Sequence, residues 1–215
     1  MSDKIFQVDG SALHKLSYGL FALFTNDGKR DNACIINTAI QVTDKPKTIS
    51  ICVNKANYTN ETIKRTGEFC LSVISEDAPF DMFSRFGFSS GRDCDKLQGF
   101  DKVITTECGL KALSAYSNSY ICGRVIQTVE QGSHTIFIAE VIEAKKISTE
   151  PSMTYAYYFS NVKPKPEASG GGENKKIVGW RCKICNFEYR EAELPSDYIC
   201  PLCKHPAEDF EPIYE

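Results

Sequence analysis

The sequence predicts a mainly β protein, an antiparallel barrel carrying a small second domain stapled by metal. Three observations predict it. Six apolar, β-branched segments are separated by turn signals over the first 150 residues. A Pro/Gly/Ser/Lys stretch without apolar periodicity, "NVKPKPEASGGGENKK", follows at 161–176. Beyond it, two Cys-x2-Cys hooks lie within 39 residues, too few to fold on an apolar core alone.

The expected strands are "SYGLFALFT" (17–25), "CIINTAIQVT" (34–43), "TISICVN" (48–54), "EFCLSVIS" (68–75), "YICGRVIQTVE" (120–130) and "HTIFIAEVIEAKKI" (134–147). The turns "NDGKR", "DKPK" and "EQGSH" divide them, and Gln131-Gly132-Ser133 makes a hairpin of the last two. Two short helices are expected. One is capped by Thr59 and closed by Gly67; the other spans 78–87, with Pro near its start and Gly at its end. The division is then 1–160, a linker at 161–176 and 177–215.

Composition narrows the function. The polar N-terminus has no signal-peptide core, and no apolar run approaches the ~20 residues a bilayer span needs. A cytoplasmic protein with no membrane partner is expected. In that reducing setting ten cysteines point to metal or thiols rather than disulfides. Six of them (Cys34, Cys52, Cys70, Cys94, Cys108, Cys122) are scattered and read as small buried hydrophobes. Residues 177–215 hold eight acids against four bases, a balance of −4 that leaves the rest at +1 within a total of −3. So acidic a segment is ill suited to nucleic acid.

Cys182-x2-Cys185 and Cys200-x2-Cys203 can place four thiolates at the corners of a tetrahedron, suited to zinc or a single iron. Aromatics (Trp180, Phe187, Tyr189, Tyr198, Phe210), the acidic balance and Pro201 directly after the third thiol favour iron. "WRCKICNFEYR…YICPLCKHPAEDFEPI" resembles a rubredoxin domain of the short form found in rubrerythrins. A one-electron iron site needs a donor able to split a hydride into single electrons, which is flavin chemistry. No G-x-G-x-x-G or Walker motif follows any strand. Polar residues do cluster at strand ends and turns: Asn32, Cys34, Asn37 and Thr38; Asn54, Lys55, Asn57 and Thr59; Ser89, Ser90, Gly91, Arg92 and Lys96.

The stretches "LSYGLFALFT", "INTAIQVT", "ICVNKANYT", "RFGFSSGRDCDK", "GSHTIFIAEV" and "PSMTYAYY", in this order, resemble the flavin reductase family. The resemblance implies an FMN-binding split barrel, antiparallel and Greek-key-like. Cys34 through Thr38 would flank the flavin ring, with Asn37 and Thr38 hydrogen-bonding it and Asn32 also binding the cofactor. Asn54 and Lys55 would follow the ribityl chain, and Thr59, Ser89, Ser90 and Arg92 would reach the phosphate. His134 would stand where the nicotinamide docks, with Ser133 in place of an acidic neighbour. The fused arrangement is similar to the high-molecular-weight rubredoxins of anaerobes. It implies a homodimer passing electrons from NAD(P)H through FMN to iron and on to a flavodiiron protein that reduces oxygen or nitric oxide. The alternative is a free-flavin reductase whose zinc ribbon is only a docking module.

Overall fold

A computed structural model describes residues 10–164, 176–182, 187–201 and 207–214. Nine strands form the larger part: β1 (Phe21–Asn26), β2 (Asp31–Ile36), β3 (Ala39–Asp44), β4 (Lys47–Asn54), β5 (Glu68–Ile74), β6 (Val103–Thr105), β7 (Lys111–Leu113), β8 (Ser117–Gln131) and β9 (His134–Lys146). Helix α1 (Tyr58–Thr66) joins β4 to β5, and α2 (Phe80–Gly87) follows β5. Seven strands make one antiparallel sheet in the order β2-β1-β5-β8-β9-β4-β3, and β6 and β7 pair separately.

The expected strand 34–43 is in fact two. Asn37 and Thr38 interrupt it, and β2 and β3 lie at opposite edges of the seven-stranded sheet. Two residues reach only ~7 Å. The sheet must therefore roll until its edges meet at that link, which makes it a barrel split along one seam. The core agrees. Cys34 and Ile36 of β2 share one buried cluster with Ile49, Ile51 and Val53 of β4, five strands away in the sheet order.

Strand alternation then sorts the chain into two cores. Leu23, Phe69, Leu71 and Phe137 fill the first, inside the rolled sheet. Ala22, Phe24, Cys70 and Cys122 face the other way and pack with Met82, Phe83 and Phe86 of α2 and with Met153 and Tyr158. Each such large side chain contributes ~1.5–3 kcal/mol on burial.

Local chemistry sets the turns. Gly67 closes α1 in the left-handed conformation, φ 74°. Asn57, not Thr59, is the N-cap of α1; Thr59 is already helical and accepts a hydrogen bond from Asn32. The helix starts earlier because Asn54 ends its strand and turns the chain, its Oδ1 accepting from Ala56 N at 2.9 Å. Gln131 pairs with His134, so the β8–β9 hairpin turn is only Gly132-Ser133, with φ 48° at Gly132.

Of the scattered cysteines, Cys34, Cys70 and Cys122 are buried as expected. Cys52 and Cys108 are half-buried, and Cys94 is exposed on the loop after α2, where no strand covers it.

The C-terminal strands β10 (Ile177–Cys182), β11 (Glu188–Tyr189) and β12 (Phe210–Tyr214) form a three-stranded antiparallel sheet in the order β11-β10-β12. The expected linker falls largely outside the described residues. No described helix is long and apolar enough to cross a membrane.

Candidate flavin and metal sites

Asn32, Cys34, Thr59, Ser89, Ser90 and Arg92, drawn from β2, the start of α1 and the loop after α2, line a single cavity of ≈ 310 Å³. That is near the lower end of ligand pockets, ~300–1,000 Å³. The first turn of α1 borders it with its N–H groups and positive dipole end, and Asn57 caps the helix without a side-chain hydrogen bond.

Two features fit a bound polar group. Asn32 is 2% exposed and its Nδ2 donates to Thr59 Oγ1 at 2.8 Å, yet its Oδ1 has no protein partner. Beside it Gly91 leaves room that no other residue would: a Cβ there would stand 1.9 Å from Asn32 Oδ1.

Cations surround the opening. Arg92 pairs with Glu61 at 2.7 Å, donates to Ala56 O at 3.1 Å and lies over the Tyr58 ring. These contacts pin the serine loop to the start of α1. Arg30, which the sequence presents only as a turn residue, lies over the same ring and donates to Gly91 O. Lys96 is 6% exposed and donates to Ala33 O at 3.0 Å and Phe86 O at 2.9 Å. Burial pushes its pKa down. Among the described residues no carboxylate pairs with Lys96, so its charge is available to an anion in the cavity. The Cys34 thiol is pushed up by burial and stays protonated.

Asn37, Thr38, Asn54, Lys55 and His134 do not line this cavity. Asn37 and Thr38 form the seam link, with Thr38 Oγ1 donating to Asn37 Oδ1 at 3.0 Å. The other three gather at one end of the sheet. Asn54 is His134's partner across β4 and β9, and Lys55 N donates to Ser133 O at 2.9 Å. Ser133 Oγ stands 2.9 Å from His134 Nδ1, so a hydroxyl orients the imidazole. Glu130 bridges Lys55 and Lys64 at 2.9 and 2.6 Å.

Tyr58 also anchors the β1–β2 turn, donating to Asp27 Oδ2 at 2.6 Å. That bond first, then the amides of Arg30 and Lys29, hold the Asp27 carboxyl at about 2 rather than 3.8. A depressed carboxylate adds stability above its unfolded value and loses it on protonation. Acid unfolding is therefore expected to show a loss between pH 3.8 and about 2 that Asp27→Asn removes and Tyr58→Phe reduces, read by circular dichroism against pH.

In the C-terminal part, Cys182 and Cys200 are fully buried. Cys182 N donates to Phe187 O at 2.8 Å. Cys185 and Cys203 lie outside the described residues. Tyr189, Tyr198 and Phe210 stack around the pair of thiols, with Tyr189–Tyr198 centroids 4.5 Å apart. Two buried thiols side by side in an aromatic shell fit a thiolate-bound metal, whose charge such a shell would screen from water. Phe88 of the larger part packs on this cluster, and Pro201, next to Cys200, lines the cavity holding Asn32 and Arg92.

A barrel with such a cavity, joined to a thiol-hooked sheet, defines a flavin reductase-type oxidoreductase equipped for electron transfer. The chain belongs to the flavin reductase-like family, matching the Flavin reductase like domain over residues 13–165 and the Rubrerythrin, rubredoxin-like domain over 180–211. It is 34% identical to the high molecular weight rubredoxin of Moorella thermoacetica, over 96% of this chain and 100% of that protein. It is 31% identical to the ferric-chelate reductase (NAD(P)H) of Archaeoglobus fulgidus, over 70% of this chain and 89% of that one. The fold is similar to that of an NADH:FAD oxidoreductase from Streptomyces globisporus, with a TM-score of 0.62 and 20% identity, over 70% of this chain and 92% of that one.

Proposed function

We propose that this protein carries electrons from NAD(P)H through FMN in the barrel to one iron held by Cys182, Cys185, Cys200 and Cys203, and on to a diffusing redox protein of the flavodiiron kind. The observation that carries this reading is Pro201 in the wall of the barrel cavity, one residue from Cys200. A metal on that thiol would stand beside the flavin site. The chemistry FMN supplies is acceptance of a hydride and release of its two electrons singly, which the iron can accept.

The chain's own residues divide the remaining work. Thr59, Ser89, Ser90 and Arg92, with the start of α1, would hold the phosphate, and Asn32 and Cys34 would flank the flavin. Asn37, Thr38, Asn54 and Lys55 would hydrogen-bond the ring edge and ribityl chain. His134, steadied by Ser133, would position the nicotinamide. Residues 1–160 would form the flavin unit and 177–215 the iron unit, with 161–176 a tether that lets the second visit its partner. The −4 charge of 177–215 would steer it to a basic docking face. A cytoplasmic homodimer completes the reading.

Anaerobic stopped-flow mixing of the iron-loaded protein with NADH tests it. Flavin bleaching followed by loss of the ferric-thiolate colour is expected. A reduced flavin beside iron that stays ferric would overturn the relay. Stoichiometric zinc in native material would favour a free-flavin reductase with a docking ribbon.

A further inference from the structure

Three of the scattered cysteines meet far along the chain from the paired hooks. Cys70 of β5 pairs across the sheet with Cys122 of β8, and Cys122 pairs with Glu143 of β9. Directly opposite residues share a face, so two thiols and a carboxylate form one row over three strands. A register shift between Cys122 and Gly123 follows at once, where the extra residue Ile142 lies. The turn between β6 and β7 then brings in Cys108. The Cys108 and Cys122 sulfurs and a Glu143 oxygen all lie within 4.8 Å of one another.

The surroundings go beyond those of packed thiols. Glu143 is oriented by three donors: the Tyr120 hydroxyl at 2.6 Å and the amides of Cys108 at 2.9 Å and Glu107 at 3.3 Å. No ion pair among the described residues involves Glu143. Thr106 Oγ1 stands 3.2 Å from Cys108 Sγ and 3.7 Å from Cys122 Sγ. Cys70 and Cys122 are both fully buried. A carboxylate held in place by three donors beside two thiol sulfurs is a preorganised donor set for a thiophilic cation.

We propose that Cys108, Cys122 and Glu143 bind one thiophilic divalent cation of the zinc class, with a water as its fourth ligand. The cation clips the β6–β7 hairpin to the barrel wall. Two thiolates and a carboxylate are ligand types that zinc takes, and a water completes the tetrahedron. On binding, the Cys108 and Cys122 thiols release their protons to solvent, and Tyr120 keeps the carboxylate aimed at the metal. The site is separate from the iron hooks and takes no part in the electron relay.

Full-length protein with iron in its four-thiol centre is equilibrated anaerobically with buffered micromolar Zn²⁺, desalted, and its iron and zinc counted by elemental emission. One zinc per chain beyond any iron lost is expected. Cys108→Ala, in a half-exposed turn, should abolish this zinc. Tyr120→Phe should weaken it ~10- to 100-fold, the usual effect of losing a group that orients a ligand. Zinc that enters only as iron leaves overturns the proposal, and so does zinc retained unchanged by folded Cys108→Ala. The wild-type count needs no variant to fold.

Discussion

Cys200→Ser is expected to erase the ferric-thiolate absorption while NADH still reduces the flavin at the wild-type rate. Cys200 is fully buried beside Tyr198 and Phe210, in a cluster of few large side chains. So small a core cannot balance the entropy of ordering the last 39 residues. Structural four-ligand metal sites contribute ~10–16 kcal/mol in comparable peptides, so losing a ligand removes the main source of order. Hydrogen exchange read by mass spectrometry should show 177–215 lose protection while β1 through β9 keep theirs. The variant would thus uncouple the two halves of the relay. A ferric-thiolate spectrum unshifted from wild type in Cys200→Ser would refute its place among the ligands.

Gly91→Ala should carry the second large effect, a loss of flavin affinity with the fold intact. The new Cβ would sit 1.9 Å from Asn32 Oδ1 and 2.7 Å from its Cγ, and neither can yield cheaply. Asn32 is 2% exposed and tied to Thr59, and the loop is held by Arg30 from the β1–β2 turn and by its own Arg92, which donates to Ala56 O. Strain of ~1–3 kcal/mol is expected in the loop. Displacing it costs the flavin one or two hydrogen bonds to charged oxygens, each ~1.5–3 kcal/mol, or roughly ten- to a hundred-fold in affinity apiece. Calorimetric titration of the flavin-free protein with FMN reads the change, with circular dichroism as the folding control. Wild-type affinity in a folded Gly91→Ala would show that this loop does not cradle the flavin.

The parts of the molecule legible in sequence are those whose signal is local. The hooks declare themselves by spacing, and β4, β5 and β9 by their richness in Ile, Val, Phe and Thr between turn signals. Thr59, Ser89, Ser90 and Arg92 could be grouped because each stands at a turn or a helix start. The break at Asn37-Thr38 was not legible: it contains no Gly or Pro, and the reason the chain changes sheet edge there is the closure of the whole barrel. Lys96 could be grouped with the cations of "SSGRDCDK" suited to a phosphate, but its burial against Ala33 O and Phe86 O follows only from the approach of β2 and α2. The row Cys70, Cys122, Glu143 depends on register between strands up to 73 positions apart, which no local pattern encodes.

The seam bears on solubility. A split barrel keeps two lateral strands, and β3 is one of them, with Ile40 65% and Val42 48% exposed. Such a strand is a template for pairing with other chains. At its tip the chain turns through Asp44-Lys45-Pro46-Lys47, with Lys47 paired to Asp44 at 2.9 Å. Charge and proline together act as gatekeepers against growth of an intermolecular sheet. Removing that charge and proline should therefore raise the tendency of β3, through Ile40 and Val42, to recruit other chains.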